Sequence, residues 1–162
     1  MARTSYVIGL GSNRRGRHGS PEREVRAALD ALATGQRRVI AASPIVASAP
    51  LGPSIRRFAN AVALVESDET PPELLDRLKR IEAAFGRRRG QRWGARVIDL
   101  DIVLWSEGSW ADDRLSVPHP HFRERPFVLG PLAMIAPGWR DPITGRTIRQ
   151  LSHAVDRRAR RP

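Results

Sequence analysis

The order of strand-like and helix-like apolar patterns constrains the fold of this chain more than any other sequence feature. Four runs of β-branched and small apolar residues predict strands at residues 6–10, 37–42, 58–66 and 97–105. Helical stripes lie between the first and second runs and between the third and fourth. The resulting order, β-α-β-β-α-β, predicts an α+β fold in which helices cover a sheet. We expect one domain over residues 1–162, because no linker or repeat divides the chain.

The two helical stripes carry clear start and stop signals. Ser20-Pro21 opens the first helix and Gly35 closes it, whereas Thr70-Pro71 opens the second and Gly86 closes it. The remaining predictions are helices at 127–135 and 147–155, a turn at 107–113, a short strand at 114–117, exposed loops at 43–57 and 87–96, and a frayed tail at 157–162.

Composition limits the classes of chemistry open to the protein. The 162 residues include no cysteine, which excludes disulfides, iron–sulfur clusters, cysteine-bound zinc and thiol nucleophiles. We expect a cytoplasmic protein, because such a chain suits a reducing compartment. We expect no membrane association and no secretory signal, since the apolar runs are far shorter than the roughly 20 residues that cross a bilayer. The net charge of +11 fits either phosphate-bearing partners or a solvated basic surface.

The strongest chemical signal is Asp99-Leu100-Asp101 within the fourth predicted strand. Residues at i and i+2 of a strand project from the same face, so the two carboxylates stand about 6.5–7 Å apart at the backbone. Leu100, Ile102 and Leu104 should bury the opposite face. Paired carboxylates repel each other and favour a bound cation, typically Mg²⁺ with water and phosphate as further ligands. The alternative is a strand whose polar side simply faces solvent, although Asp is disfavoured in strands.

Basic residues precede this strand in a glycine-rich segment. Guanidinium groups grip phosphate oxygens through paired hydrogen bonds and keep their charge. A loop that brings them near metal-bound phosphates would offset charge during phosphoryl transfer. A solvated basic loop is the alternative. The arginines concerned are Arg87, Arg88, Arg89, Arg92 and Arg96.

Aromatic and amide side chains indicate a pocket for a flat heterocycle. Trp93 in the basic loop could stack on such a ring, and Phe58 with Asn60 places a ring and an amide on one strand face. Simple packing is the alternative for each of them. His119 is expected to contact phosphate rather than zinc, because the chain lacks a convincing set of zinc ligands.

Several short motifs, each present once, are spread over nearly the whole chain. The most specific is the run from Arg92 to Ile102, which contains the aspartate pair. The others are GLGSN at 9–13, PLGP at 50–53, FANAV at 58–62, RIE at 80–82, GR at 86–87, VPHP at 117–120 and RPFVL at 125–129. With these motifs the chain resembles the 6-hydroxymethyl-7,8-dihydropterin pyrophosphokinase family of the folate pathway.

The resemblance implies a fold and a reaction. The fold would be a ferredoxin-like αβα sandwich, with a mostly antiparallel sheet and helices on both faces. The reaction would transfer pyrophosphate from ATP to the hydroxymethyl group of 6-hydroxymethyl-7,8-dihydropterin, with two Mg²⁺ ions, and would give AMP and the pterin diphosphate. The expected partners are ATP and this pterin, without nucleic acid, and the expected state is a monomer.

The resemblance also implies roles for individual residues through the matching motifs. Asp99 and Asp101 would hold both metal ions, and Arg87 and Arg96 would join them in catalysis on the triphosphate. Further nucleotide contacts would come from Ile102, Arg114, Ser116, His119 and Arg125. The pterin would contact Ser48, Leu51, Phe58, Asn60, Trp93 and Phe127. The family usually has proline where Ala95 stands and often tyrosine where Phe58 stands. These departures leave loop motion and pterin affinity open, whereas the aspartate pair that implies activity is unchanged.

Two other functions fit parts of the sequence. A polymerase-β-like nucleotidyltransferase also combines Gly-Ser with an Asp-x-Asp strand, but those signals normally lie close together, whereas Ser12 and Asp99 are distant here. An RNA-binding module on a ferredoxin-like sheet would suit the basic charge. Such a module needs exposed aromatic residues on adjacent strands, and the sequence shows no such motif.

Overall fold

The structure, a computed structural model, describes residues 3–35, 37–48, 58–86 and 96–161. Its main elements follow the order that the sequence predicts. They are β1 (Thr4–Ser12), α1 (Pro21–Leu32), β2 (Arg38–Ala42), β3 (Val46–Ser48), β4 (Phe58–Ser67), α2 (Pro71–Phe85), β5 (Asp99–Trp105), β6 (Trp110–Ala111), β7 (Ser116–Val117), α3 (Pro126–Ile135) and α4 (Ile148–Ala159).

The main sheet has the strand order β2-β4-β1-β5, and every neighbouring pair is antiparallel. The second half of β4 pairs with β2, and its first half pairs with β3. β6 and β7 form a separate two-stranded sheet. The predicted α+β fold with a mostly antiparallel sheet is confirmed.

Helices cover both faces of the sheet and create two apolar cores. On one face, Leu32 of α1 and Leu78 of α2 pack in a cluster with Ile8 of β1. On the other face, Leu132 of α3 packs in a second cluster with Val62 of β4, and α4 completes this layer. Burial of each such side chain contributes about 1.5–3 kcal/mol. Among the described residues, no helix combines the length and the apolar character that a membrane span requires.

A β-bulge at Val103 changes the face that each β5 side chain occupies. Ile8 pairs with Ile102, but the next pair is Val7 with Leu104, so Val103 is the extra residue. Both Val103 and Leu104 are buried in the core beneath α3 and α4. The prediction that Leu104 shares the face of Ile102 is wrong for this reason.

Three segments are more regular than the sequence predicts, one of which is β6 (Trp110–Ala111) within the predicted turn at 107–113. Residues 46–48 lie within a predicted loop but form β3, because the first half of β4 needs partners for its backbone hydrogen bonds. α4 continues to Ala159, past the predicted end at residue 155 and into the predicted frayed tail. Arg157 and Arg158 in its last turn favour this extension, since they complement the negative end of the helix dipole.

Candidate active site

A cavity of about 510 Å³ opens on the face of the sheet that α3 covers. This volume is typical of small-molecule sites. The cavity brings together seven residues that the sequence analysis singled out: Phe58, Asn60, Asp99, Asp101, His119, Arg125 and Phe127. Residues from β1, β4, β5 and the start of α3 therefore meet at one place.

Asp99 and Asp101 lie on one face of β5, as the strand spacing predicts. Both are exposed, and in the pairing with β1 Asp99 lies opposite Gly11 and Asp101 opposite Gly9. Because glycine carries no side chain, the surface beside each carboxylate stays open. On the other side of β1, Gly11 pairs with Asn60, and a Cβ added to Gly11 would lie 3.0 Å from the Asn60 amide oxygen. The two glycines therefore form a shallow cradle between the carboxylates and the amide.

The Asp99 carboxylate lies in a negative environment. Partial burial is the largest factor that raises its pKa above the ordinary value, and the negative charges of Glu82 and Asp101 add to the rise. Arg96 and Lys79 oppose this shift without cancelling it. A further positive charge beside the two aspartates would be stabilised, which fits a bound divalent cation.

Glu82, near the end of α2, joins this helix to the aspartate strand. Its side chain is 5% exposed, and it accepts hydrogen bonds from the backbone N–H of Leu100 (3.0 Å) and from Nη1 of Arg96 (3.3 Å). Lys79 Nζ lies 3.3 Å from the same carboxylate. Arg96 does not itself line the cavity. Glu82 therefore holds the Arg96 guanidinium close to Asp99, whose pKa responds to both charges.

His119 presents a neutral N–H donor to the cavity. Its Nδ1 accepts the backbone N–H of His121 at 3.1 Å. An amide N–H can only donate, so the proton of the neutral ring lies on Nε2. Partial burial lowers the pKa of His119 and outweighs the opposing charge of Asp101, and Arg125 lowers it further. The ring therefore stays neutral near pH 7, with Nε2–H available to an anionic oxygen.

Arg125 stands immediately before the first turn of α3. Its carbonyl accepts the N–H groups of Val128 and Leu129, both at 3.0 Å. The positive end of the α3 dipole therefore lies at the Arg125 backbone. The Arg125 Cζ is also 5.7 Å from the centre of the Phe127 ring. This arrangement favours an anionic group next to an aromatic surface.

Two phenylalanine rings leave much of their surface open to the cavity. Phe58 is 37% exposed and Phe127 is 47% exposed. Asn60 lies two residues after Phe58 on the same face of β4 and lines the same cavity. A ligand with flat faces and a hydrogen-bonding edge would cover both rings and pair with the amide.

Three predicted nucleotide contacts do not line the cavity. Ile102 is 3% exposed, and its side chain lies in the core on the opposite face of the sheet, so only its backbone can approach a ligand. Arg114 forms an ion pair with Asp76 of α2 (2.7 Å), and Ser116 is exposed on β7. Their nucleotide contacts stay predictions.

Several predicted site residues lie outside the described residues: Leu51, Arg87, Arg88, Arg89, Arg92, Trp93 and Ala95. Ser48 is described only by its backbone, which pairs with Phe58 at the end of β3. The roles assigned to these residues stay predictions.

Several residues that shape the site have no role among the sequence-based predictions. Gly9, Gly11, Ser12 and Asn13 line the cavity. Glycine at alternate positions of a strand was the available signal, because such positions leave one face of the strand open. Glu82 belongs to the RIE motif at 80–82, but the motif indicated no role for it, since its contacts depend on how α2 packs against β5.

The donor set suits a hard divalent cation that shares its coordination sphere with a ligand. Among residues 3–35, 37–48, 58–86 and 96–161, no three His, Asp or Glu side chains cluster as a complete metal site. Mg²⁺ usually takes only one or two carboxylates from the protein and completes its octahedron with water and phosphate. Asp99 and Asp101 supply that number at the open floor of the cavity.

A carboxylate pair, a neutral histidine donor and an arginine at a helix N-terminus are typical of enzymes that transfer phosphate-containing groups. Comparison with known proteins makes the class specific. The family model for 7,8-dihydro-6-hydroxymethylpterin-pyrophosphokinase (HPPK) matches residues 7–137. The chain belongs to this family.

Curated relatives of similar length support the same assignment. The 2-amino-4-hydroxy-6-hydroxymethyldihydropteridine pyrophosphokinase of Pseudomonas aeruginosa is 44% identical over 153 residues, which cover 93% of this chain and 91% of that protein. The enzyme of the same name from Methylorubrum extorquens is 39% identical over 155 residues, 94% of either chain. Each alignment thus extends over nearly the full length of this chain and of the relative.

Solved structures share the fold at much lower identity. The HPPK-DHPS chain of Plasmodium falciparum, wild type with STZ-DHP, has a TM-score of 0.77 and 15% identity. The match covers 97% of this chain but only 44% of that chain. The wild type with SDX-DHP gives a TM-score of 0.71, again with 44% of that chain covered. This chain therefore corresponds in fold to less than half of the longer proteins.

Proposed function

We propose that the protein transfers a pyrophosphoryl group from ATP to the hydroxymethyl group of 6-hydroxymethyl-7,8-dihydropterin, giving AMP and the pterin diphosphate in folate biosynthesis. One observation carries the proposal. A single cavity is lined by a carboxylate pair, by the hydrogen-bond donors His119 and Arg125, and by two open aromatic rings with an amide. Family membership supports the same reaction, because the curated relatives are named as pyrophosphokinases of this pterin class.

Asp99 and Asp101 would hold the magnesium, as two ions, at the floor of the cavity. Bound Mg²⁺ would neutralise charge on the triphosphate and polarise the phosphoryl group that is transferred. The raised pKa of Asp99, which partial burial and neighbouring negative charges cause, supports this assignment. The carboxylates would orient the ions, and Gly9, opposite Asp101, leaves space for phosphate beside them.

Donors from two other elements would bind the phosphates. His119 would donate Nε2–H, and Arg125 would add a forked guanidinium beside the start of α3. Arg96 would turn from Glu82 toward the phosphates, and Arg87 would join it from the adjoining segment. Fixed donors of this kind stabilise charge that develops during transfer.

The pterin would lie between the Phe58 and Phe127 rings with its hydrogen-bonding edge at Asn60. The rings offer apolar surface to a flat bicyclic system, and the amide can donate and accept at once. We assign Ser48, Leu51 and Trp93 to the same subsite. The Ile102 backbone, Arg114 and Ser116 are assigned to contact the nucleotide.

The chemical step exchanges one phosphorus–oxygen bond for another. The hydroxymethyl oxygen bonds to the β-phosphorus of ATP as the bond from that phosphorus to the oxygen shared with the α-phosphate breaks. The electron pair of the broken bond leaves on AMP, and the hydroxyl proton passes to water. His119 acts as a donor rather than a base, because its Nδ1 is occupied by the His121 N–H and its Nε2 already carries a proton.

We further propose a setting for the reaction. The protein would act in the cytoplasm as a monomer with one domain, without nucleic acid or membrane partners. The lack of cysteine supports a reducing compartment. The near-full-length alignment with the Pseudomonas aeruginosa relative supports a single functional unit.

Product analysis tests the proposed reaction directly. The protein is incubated with ATP, Mg²⁺ and the hydroxymethyl pterin, and nucleotides and pterins are separated by chromatography. AMP and pterin diphosphate should appear in equal amounts, and neither should form without the pterin or with EDTA. Release of ADP or of inorganic pyrophosphate would contradict the proposal. Absence of turnover together with salt-sensitive RNA binding would favour an RNA-binding module instead.

A further inference from the structure

Glu24 is a fully buried carboxylate outside the cavity. It lies on the inward side of α1, and its side chain is 0% exposed. A buried carboxylate is costly unless hydrogen bonds compensate for the loss of water. One residue engages both of its oxygens: Oε1 accepts the backbone N–H of His18 at 2.7 Å, and Oε2 lies 2.8 Å from His18 Nδ1. Glu24 therefore fixes both the backbone and the ring of His18.

The segment that Glu24 fixes packs against the approach to β5. A Cβ added to Gly16 would lie 2.5 Å from Glu24 Oε1 and 2.6 Å from Cγ1 of Val97. Gly16 is therefore enclosed between these two side chains. Gly16 and Gly19 also exchange two backbone hydrogen bonds of 3.1 Å, which close a tight turn around His18. Because Gly16 packs against the Val97 side chain, a displacement of this turn would also move Val97.

The His18 ring reaches the other side of the same junction. It packs on Phe85, the last residue of α2, with 4.8 Å between ring centroids. The carbonyl of the next residue, Gly86, accepts the backbone N–H of Val97 at 3.4 Å. The Glu24–His18 pair therefore supports both the end of α2 and the residue that leads into β5.

We infer that the Glu24–His18 pair is a positioning device for Arg96 and Asp99. Arg96 precedes Val97 directly, and Asp99 follows it by two residues. The pair acts on these two residues through Gly16, Phe85 and Val97. This inference rests on the proposed function, in which Arg96 and Asp99 act on the metal-bound phosphates.

Three variants separate positioning from simple filling of the core. Glu24→Leu occupies similar space but accepts no hydrogen bond, and Glu24→Gln keeps an acceptor for the His18 N–H. Removing one partner of a buried pair lowers stability, so the kcat of Glu24→Leu is measured only on protein that circular dichroism shows to be folded. His18→Ala removes the contact with Phe85 from a half-exposed position and keeps the test available if Glu24→Leu does not fold. Arg17→Ala, an exposed neighbour in the same turn, is the matched control.

Steady-state kinetics with ATP, Mg²⁺ and the hydroxymethyl pterin give the first readout. Glu24→Leu and His18→Ala should lower kcat by about 10-fold, because small misplacements of groups that bind the reacting phosphates are costly. The KM for the pterin should stay within about twofold of the wild type, since Phe58, Asn60 and Phe127 of its subsite lie on β4 and α3. Glu24→Gln should recover most of kcat, and Arg17→Ala should match the wild type. Normal kcat in folded His18→Ala, or an increased pterin KM alone, would overturn the inference.

Amide hydrogen exchange of the unliganded protein gives a readout that does not depend on turnover. Exchange should accelerate at residues 86 and 97–100 in Glu24→Leu and His18→Ala, whereas β1 and β4 should keep their wild-type rates. Uniformly faster exchange across the sheet would indicate a merely structural role and would overturn the inference. If the wild type released no AMP, the proposed function would fail, and the exchange pattern would still decide whether the pair positions this segment.

Discussion

The carboxylate of Glu82 accepts the backbone N–H of Leu100 at 3.0 Å, so α2 holds β5 at the residue between the two cavity aspartates. The same carboxylate holds Arg96 Nη1 at 3.3 Å. Removal of Glu82 releases both groups at once. We therefore expect Glu82→Ala to lower kcat by about 10- to 100-fold, as is typical when support of metal-binding groups is lost. Steady-state kinetics of AMP release measure this change.

Two further variants show whether the effect comes from these contacts. Glu82→Gln keeps an acceptor for the Leu100 N–H but loses the charge that holds Arg96. Its kcat should therefore lie between those of the wild type and Glu82→Ala. Glu73→Ala removes the capping carboxylate at the other end of α2 and should lower stability without changing kcat. Equal kcat losses in Glu73→Ala and Glu82→Ala would show that the helix as a whole, rather than the Leu100 and Arg96 contacts, matters.

The aspartate pair should be essential for turnover and dispensable for folding. Asp99→Asn and Asp101→Asn each remove one negative charge from exposed positions of β5. We expect each to lower kcat by about 100-fold or more, because the Mg²⁺ ions that bind the phosphates would lose a carboxylate ligand. Thermal unfolding should change little, since partial burial and like-charge repulsion already oppose ionisation of Asp99. AMP-release assays and melting curves measure the two effects.

Asp30→Asn is the matched control for the aspartate variants. Asp30 lies exposed on α1, outside the cavity lining. Its substitution should leave kcat at the wild-type value. Near-normal turnover in Asp99→Asn or Asp101→Asn would refute the proposed metal-binding role.

The close approach of Gly11 to Asn60 predicts a selective defect in pterin binding. An alanine Cβ at Gly11 would lie 3.0 Å from the Asn60 amide oxygen, so the amide must move by a few tenths of an ångström. We expect Gly11→Ala to raise the KM for the hydroxymethyl pterin by about 10-fold, with a smaller effect on the KM for ATP. Gly130→Ala is the control, because an added Cβ there meets no atom within 4 Å. A larger increase in the KM for ATP than for the pterin would contradict the assignment of Asn60.

Local patterns were sufficient to predict the order of the main elements and the shared face of the two aspartates. Alternation and helical stripes depend only on neighbouring residues, and so does the shared face of Asp99 and Asp101. The capping signal at Thr70 is equally local and is present in the structure, with Glu73 accepting its N–H. These features could be predicted because each is fixed within a few residues of chain.

Features that depend on packing between distant segments could not be predicted in this way. The bulge at Val103 reverses the face of Leu104 because of the pairing with β1. Val46 joins a strand because β4 extends beyond β2. The contact from Glu82 to Leu100 joins residues 18 positions apart, and the ion pair from Arg114 to Asp76 joins residues 38 positions apart.

We expect Asp141, which lies outside the cavity lining, to make the stability of the fold depend on pH at low pH. Its side chain is 0% exposed and binds Arg123 through two hydrogen bonds, with further donors from Thr144 and the Ile143 backbone. Burial works to raise the pKa of Asp141, but these donors outweigh it and lower the pKa from 3.8 to about 2. The folded state therefore favours the charged form.

A carboxyl group with a lowered pKa in the folded state stabilises the fold above its ordinary pKa and loses this effect as the pH falls through its folded value. Asp141 should contribute about 2 kcal/mol at pH 7, and this contribution should disappear between about pH 4 and pH 2. Urea unfolding of the wild type, Asp141→Asn, Arg123→Gln and the double variant at several pH values measures the coupling. The coupling free energy between Asp141 and Arg123 should be large at pH 7 and near zero at pH 2. A coupling that does not change over this range would show that the charge on Asp141 does not stabilise the fold.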